Sequence, residues 1–336
     1  MQKDLTRSEI IETLSHLGQL ILNDLKKTYV QEALHRAYVA NNWFIPDFTE
    51  YALIQIARHF LDEKKLFEFA AAYTFAKEQK QVAVIMAGNI PLAGFHDWLC
   101  VMVSGHNALV KCSSKDTLLL PFLLELVKTI NPRLARRTVF AEQLSAFDAV
   151  IATGSNNSNR YFEYYFAKYP HIFRKNRSSV AVLKGSESDA DLNRLSDDIF
   201  IYFGLGCRSV SKLYLPFGYN AASLLPHFSD YSWLTQHSKY MNNRDYNLTL
   251  LLMNRVPHTA GAFITLTESP ALHSGIGVLH YEFYESTQQV QERLIDEAAE
   301  TQLLIGADYH AAGTAQQPLL SDFADHVNTM TFLNSL

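Results

Sequence analysis

Cys207 stands in the stretch Gly204-Leu205-Gly206-Cys207-Arg208 and is the residue of this chain most suited to act as a nucleophile. Only a thiolate attacks, and an ordinary thiol pKa of ~8.5 must be brought down by positive charge or backbone amides. Arg208 is adjacent, and the two glycines let the chain turn so that main-chain N–H groups face the sulfur or an acyl oxygen. The competing reading is a small buried hydrophobe, and local sequence leaves both open. Cys100, inside the apolar run Trp98–Val103, reads as core, and Cys112, after Lys111 at a strand end, reads as packing at the border of any site there.

Asn89 lies between Gly88 and Ile90-Pro91. Its amide could donate to a developing oxyanion, a contact worth ~2.7–4 kcal/mol in comparable sites, although Gly, Asn and Pro are also common turn formers. Lys111 closes an apolar strand, where a cation calls for an anionic neighbour: a nucleotide phosphate or ribose, or a carboxylate at a helix start. Thr153-Gly154-Ser155 ahead of a helix forms a short phosphate cradle. No Gly-x-Gly-x-x-Gly follows the first strand, and the 13 histidines show no His-Glu-x-x-His spacing, so no metal site is expected. The run Arg174-Lys175-Asn176-Arg177 reads as a solvated approach to a strand, with contact to substrate phosphates as the alternative.

These residues need a framework. The first 80 or so residues read as helices, with Thr6-x-x-Glu9 and Asp47-x-x-Glu50 spaced like capping boxes. From residue 82 the pattern becomes strand, turn, helix, three times over: Val82–Ala87, Asn107–Cys112 and Asp148–Thr153 are the strands, and helices follow at 92–103, 117–130 and 160–169. Such alternation predicts a parallel sheet covered on both faces, and ligands there bind at the carboxyl ends of the strands, where Asn89, Lys111 and Thr153–Ser155 all fall. Further on, strands are expected at 178–183, 210–215, 262–266 and 278–284, with helices at 189–202, 234–244 and 287–300.

Composition narrows the function. The 336 residues, 48% hydrophobic, can bury a large core divided between two lobes. A formal charge of -5, from 29 basic and 34 acidic residues, carries no footprint for nucleic acid. Charges every few positions in the opening segment argue against a secretory signal, and no run of about 18 apolar residues suggests a membrane span. Three widely spaced cysteines argue against a disulfide framework and fit a reducing, cytoplasmic compartment.

Taken in order, the motifs resemble the aldehyde dehydrogenase superfamily, and within it the fatty acyl-CoA reductase branch typified by the LuxC component of bacterial bioluminescence. The resemblance covers about residues 82–215 and, more loosely, 306–336. Ala87-Gly-Asn-Ile-Pro91 looks like the family segment whose Asn donates to the oxyanion, which implies that role for Asn89. Gly105-His-Asn-Ala-Leu-Val-Lys111 is similar to the strand whose Lys contacts the cofactor's ribose and phosphate, with Ser113 and Ser114 in the turn beyond it. Thr153-Gly154-Ser155 matches the Thr-Gly-Ser turn over the cofactor, and Phe203-Gly-Leu-Gly-Cys207 resembles the Gly-Gln-x-Cys stretch that presents the nucleophile, with Leu205 and Gly206 departing from the commonest residues.

Two further departures carry mechanism. Aldehyde-oxidising members place a general-base Glu about 34 residues before the cysteine, and this chain has Phe173 there. Without that base, exchange of the acyl group with a thiol carrier replaces hydrolysis as the expected partner reaction. Where NAD-preferring relatives often place a Glu on the adenine ribose, this chain has Ser114, which would not repel a 2′-phosphate. Glu282 falls near the family's second ribose-contacting glutamate, at a short spacing from Cys207.

The resemblance thus implies an aldehyde dehydrogenase-like α/β fold with two Rossmann-like lobes, parallel sheets and a helical N-terminal region. The expected division is a helical region at 1–80 packing on the cofactor lobe, a nucleotide-binding domain at 81–180, a catalytic domain at 181–310 and a tail at 311–336. The expected activity is reduction of acyl-CoA or an acyl-carrier-protein thioester to a fatty aldehyde with NADPH, NADH remaining open, through an acyl-enzyme on Cys207. The rivals are an NAD-dependent aldehyde dehydrogenase working oxidatively and a noncatalytic acyl-carrier-binding protein of the same fold. A homo-oligomer is left open.

Overall fold

A computed structural model describes residues 4–336. The chain divides into two compact units: one runs to Asn176 and takes back Pro318–Leu336, and the other is Arg177–Gln317. The segment Pro318–Leu336 belongs to the first unit.

In the first unit, helices α1 (Arg7–Asp24), α2 (Thr28–Ala40), α3 (Pro46–Gln55) and α4 (Glu63–Ala71) precede a sheet of β1 (Gln81–Ile85), β2 (Asn107–Lys111), β3 (Thr138–Phe140), β4 (Ala149–Thr153) and β5 (His171–Arg174). Thr6 and Glu9 form the expected capping box, with Thr6 N donating to Glu9 Oε2 at 2.7 Å. Asp47 caps nothing. Pro46 occupies the first helical position of α3, so Asp47 already lies in the first turn; proline has a preset φ and no N–H to satisfy, which lets the helix start without a side-chain cap.

The five strands run parallel in the order β3-β2-β1-β4-β5. Helices α5 (Phe95–Ser104), α6 (Leu119–Ile130), α7 (Pro132–Ala135) and α8 (Asn156–Phe166) connect them. Val82, Ala83 and Val84 are all buried, because the central strand β1 is covered on both faces. Helix α5 is buried along nearly its whole length and stops at Gly105, whose φ of +96° is a left-handed cap that glycine adopts without strain.

The second unit has strand order β11-β6-β7-β10-β9-β8, built from β6 (Ser178–Val182), β7 (Val210–Pro216), β8 (His258–Ala260), β9 (Thr265–Glu268), β10 (Val278–Tyr284) and β11 (Thr301–Ile305). Only the edge pair β8–β9 is antiparallel. Helices α9 (Asp189–Phe200), α10 (Ser238–Met253) and α11 (Thr287–Asp296) belong to this unit, and α12 (Thr329–Asn334) closes the tail of the first. The helix expected at 234–244 is instead two: a 3-10 segment, Ala221–Gln236, and then α10. Among the described residues no helix is long and apolar enough to cross a membrane.

One expectation is overturned here. Arg174 is fully buried rather than solvated. Its Nη2 lies 2.6 Å from Asp97 Oδ1 and 2.7 Å from Thr329 Oγ1, and its Nη1 donates to the Ala324 carbonyl, so the guanidinium ties β5, α5 and the C-terminal tail together. Burial acts to raise the Asp97 carboxyl, but Arg174 and Thr329 outweigh it and hold its pKa below the ordinary value. Ring nitrogens of His96 and His106 meet the carbonyls of Leu320 at 2.9 Å and Leu333 at 3.1 Å, adding two more anchors for the tail.

Candidate active site

Strand order in the first sheet reverses about β1, so the crevice of this unit opens between the carboxyl ends of β1 and β4. Asn89 follows β1, Lys111 is the last residue of β2, in register with Ile85, and Thr153-Gly154-Ser155 leads from β4 into α8. The structure therefore brings all of these, with Ser113 and Ser114 beyond Lys111, to one rim.

Local contacts explain the glycines. A Cβ on Gly88 would sit 2.6 Å from Ser113 Oγ, so the β1 loop needs glycine to pass the β2 loop. A Cβ on Gly154 would meet Ser158 and Phe162 at 2.8 and 2.9 Å. Ser155 caps α8 by accepting from Ser158 N at 3.3 Å, and Lys111 Nζ donates to the Glu142 carbonyl on the same rim. Asp116, a residue no sequence motif singled out, accepts from Leu92 N at 3.0 Å and Leu119 N at 3.3 Å and so staples the β1 loop to α6. Burial raises its pKa against those backbone bonds.

Lys111, Ser113, Ser114 and Thr153–Ser155 are the side chains and amides that this rim, at a topological switch point and a capped helix start, offers to a ligand.

The second unit holds Cys207 in the turn between α9 and β7. Ahead of it, Tyr202, Phe203 and Gly204 take left-handed φ values of 57°, 58° and 73°. For bulky residues this conformation costs about 1–3 kcal/mol each and persists only where packing imposes it, commonly at functional sites. Phe203 is held in that way, its ring 4.5 Å from His237 and 6.0 Å from Tyr240. Beyond the bend, Ser209 N donates to Gly206 O at 3.0 Å, and Ser179 Oγ of β6 donates to the Cys207 carbonyl at 3.0 Å. Cys207 itself is half-buried.

The other cysteines are unsuited to attack. Burial drives the Cys100 thiol far above its ordinary pKa and pushes Cys112 up to about 11. Phe173 lies on β5, its ring stacked 4.1 Å from His171 and 6.0 Å from Phe162. Glu282 pairs with the fully buried Lys212 at 2.8 Å and with Arg293 at 3.2 Å, while Glu297 takes Lys212 at 3.0 Å and the Tyr214 hydroxyl at 2.7 Å. Glu282 therefore has a structural task inside its sheet. A groove of about 790 Å³ between α1 and α4, lined in part by Gly18, Leu61 and Phe67, contains none of these residues.

Sequence reasoning missed Asp198, which anchors the segment 313–315 beside the Cys207 turn. Its signal was present: an acid three residues after Leu195 and one before Ile199, on the face of α9 that is buried.

Parallel sheets of this order, with a cysteine turn ahead of the second strand of the second sheet, define an aldehyde dehydrogenase-like α/β fold. Solved structures agree. Aldehyde dehydrogenase 21 from Physcomitrella patens, in complex with the reaction product succinate, superposes with a TM-score of 0.66 at 12% identity, covering 93% of this chain and 76% of that one. An E. coli NADP dependent enzyme gives 0.63 at 12%, over 90% and 73%. An aldehyde dehydrogenase C mutant from Pseudomonas syringae, complexed with NAD+ and octanal, gives 0.64 at 12%, over 89% and 71%. No family model and no curated protein matches the sequence.

Proposed function

We propose that this chain is a cytoplasmic reductase that converts an acyl-CoA or acyl-carrier-protein thioester into a fatty aldehyde with NADPH. The observation that carries the reading is the Cys207 turn, where two bulky residues are held in a left-handed backbone directly ahead of a half-buried thiol. The fold shared with structures solved with NAD+ and octanal, or described as NADP dependent, supports a nicotinamide cofactor.

In this reading the Cys207 thiolate attacks the thioester carbonyl, forming a new C–S bond. The resulting oxyanion is met by the Cys207 N–H, and the role assigned to Asn89 is to donate its amide to the same oxygen. Collapse breaks the carrier's C–S bond, the carrier leaves as its thiolate and takes up a proton from solvent, and the acyl group stays on Cys207. Lys111, Ser113, Ser114 and Thr153–Ser155 would hold the dinucleotide, and Ser114 would leave room for a 2′-phosphate. Bound there, NADPH would supply a hydride to the acyl carbon. The thiohemiacetal oxyanion so formed on Cys207 collapses, its C–S bond breaks, the cysteine returns to the thiolate and the aldehyde is released. Phe173 packs in an aromatic cluster and offers no base for water, which favours this direction over aldehyde oxidation to free acid.

The test is incubation with NADPH and acyl-CoA or acyl-carrier thioesters of several chain lengths, following loss of NADPH absorbance, with Cys207→Ser alongside. Consumption by the wild type and none by the variant is expected. No consumption with any thioester refutes the reading, and free acid formed from aldehyde and NAD+ at a matching rate favours the oxidative rival.

A further inference from the structure

Asp198 sits in the last turn of α9, fully buried, and the reaction above does not use it. Its two oxygens accept different backbone donors: Oδ2 takes Gly313 N at 2.7 Å and Oδ1 takes Ala315 N at 2.8 Å. The Ala315 carbonyl accepts in turn from Arg208 Nε, and Gln316 Nε2 donates to Ser209 Oγ at 3.3 Å. Arg208 and Ser209 are the two residues that follow Cys207. One edge of the segment 313–316 is thus fastened to the carboxylate and the other to the nucleophile turn.

A buried acid is an expensive fastener. Desolvation, with some help from Asp197, raises the Asp198 pKa to about 6, against the Gly313 and Ala315 amides and the Arg208 charge. An apolar residue would fill the space without that penalty, so the carboxylate earns its place by what it holds. Gly313 is fitted to the arrangement as well: its φ is +83°, and a Cβ there would lie 3.0 Å from Arg194.

We propose that Asp198 is a positioning residue for the nucleophile turn, fixing through Ala315 and Arg208 the backbone that presents the Cys207 sulfur and its N–H. The inference rests on Cys207 being the nucleophile of the proposed reaction, but its test needs no turnover, so the two fail separately.

The experiment is the rate of Cys207 alkylation by iodoacetamide across pH in the full chain, with the modified peptide resolved from those of Cys100 and Cys112 by mass spectrometry. Asp198→Asn puts an amide N–H against one backbone N–H; it is expected to change the rate at least about fivefold and to displace the pH profile, since sub-ångström misplacement of a reacting group has effects of this order. Asp198→Glu, which keeps both acceptors, recovers part of the loss. In an Arg208→Gln background, where the Arg208 link is cut and the Gln316–Ser209 contact remains, Asp198→Asn changes the rate by a smaller factor than it does in the wild type. A folded Asp198→Asn protein with the wild-type rate and profile overturns the proposal, as does an effect of full size in the Arg208→Gln background. Should Asp198→Asn not fold, Gly313→Ala decides: it displaces the same segment without altering any charge, and a wild-type profile there overturns the proposal equally.

Discussion

Asp97→Asn tests how the C-terminal tail is fastened to its unit. The substitution keeps shape and one acceptor but removes the charge opposite Arg174, whose side chain is 2% exposed. Breaking a buried pair in this way strands a charge and costs about 3–5 kcal/mol. With a urea slope near the upper end for single units, ~3 kcal/mol/M, the midpoint falls by about 1–1.7 M. Trp98 is the probe: it is buried one residue from Asp97 and donates to Thr138 Oγ1 at 2.9 Å, so its fluorescence follows this unit. The pH dependence gives a second reading. Because the folded Asp97 pKa lies below its unfolded value, the stabilisation is complete above about pH 4 and is lost as pH falls through the folded value. The wild type loses its advantage over Asp97→Asn across that acid range. A midpoint shift below about 0.3 M at unchanged slope, or unfolding curves of the two proteins that stay parallel into acid, refutes the argument.

Two further outcomes follow from single contacts. Ser114→Glu places a carboxylate where Ser114 is assigned to the adenine ribose, and repulsion of about 1–3 kcal/mol lowers the NADPH over NADH ratio of kcat/KM by roughly fivefold to 150-fold; an unchanged ratio removes Ser114 from the cofactor site. Glu297→Gln leaves Lys212 with Glu282 as its remaining carboxylate and destabilises the second unit by about 1–3 kcal/mol, read from Trp233 fluorescence during urea unfolding; no loss means that Glu282 alone neutralises the buried lysine.

Three of the strands legible in the sequence are covered on both faces. Val82-Ala-Val, Ala149-Val-Ile-Ala and Ser178-Ser-Val-Ala-Val are runs of small and β-branched residues because no side of them meets water. β3, β5 and β8 escaped notice for the opposite reason. They are three or four residues long, β3 and β8 exposed or half-exposed and β5 buried only at alternate positions, and their neighbours β2, β4 and β9 supply what makes them strands. β11 ends in Leu303-Leu-Ile305 but directly follows a helical pattern, which hid its start.

Charge was misread where partners are distant in sequence. Arg174 stands in a basic run that any local window takes for a solvated face, yet its partners are Asp97, Ala324 and Thr329, the last 155 residues away. Lys212 lies within an apolar strand, and its neutralising glutamates come from β10 and the end of α11.

At the candidate site, residue types and spacing by themselves put forward the side chains proposed to carry chemistry: a cysteine between glycines and an arginine, an asparagine after the first strand, a lysine at the end of the second and a Thr-Gly-Ser before a helix. That is so because strand–turn–helix order is local and fixes which residues reach the carboxyl rim. Only the tertiary structure decided how the Cys207 turn is held. Left-handed Tyr202 and Phe203 contradict their own preferences, with the Phe203 ring packed against rings from 237 and 240, and the Asp198 carboxylate reaches the turn through a segment more than 100 residues further on. Packing forces of that range leave no periodic trace in a sequence.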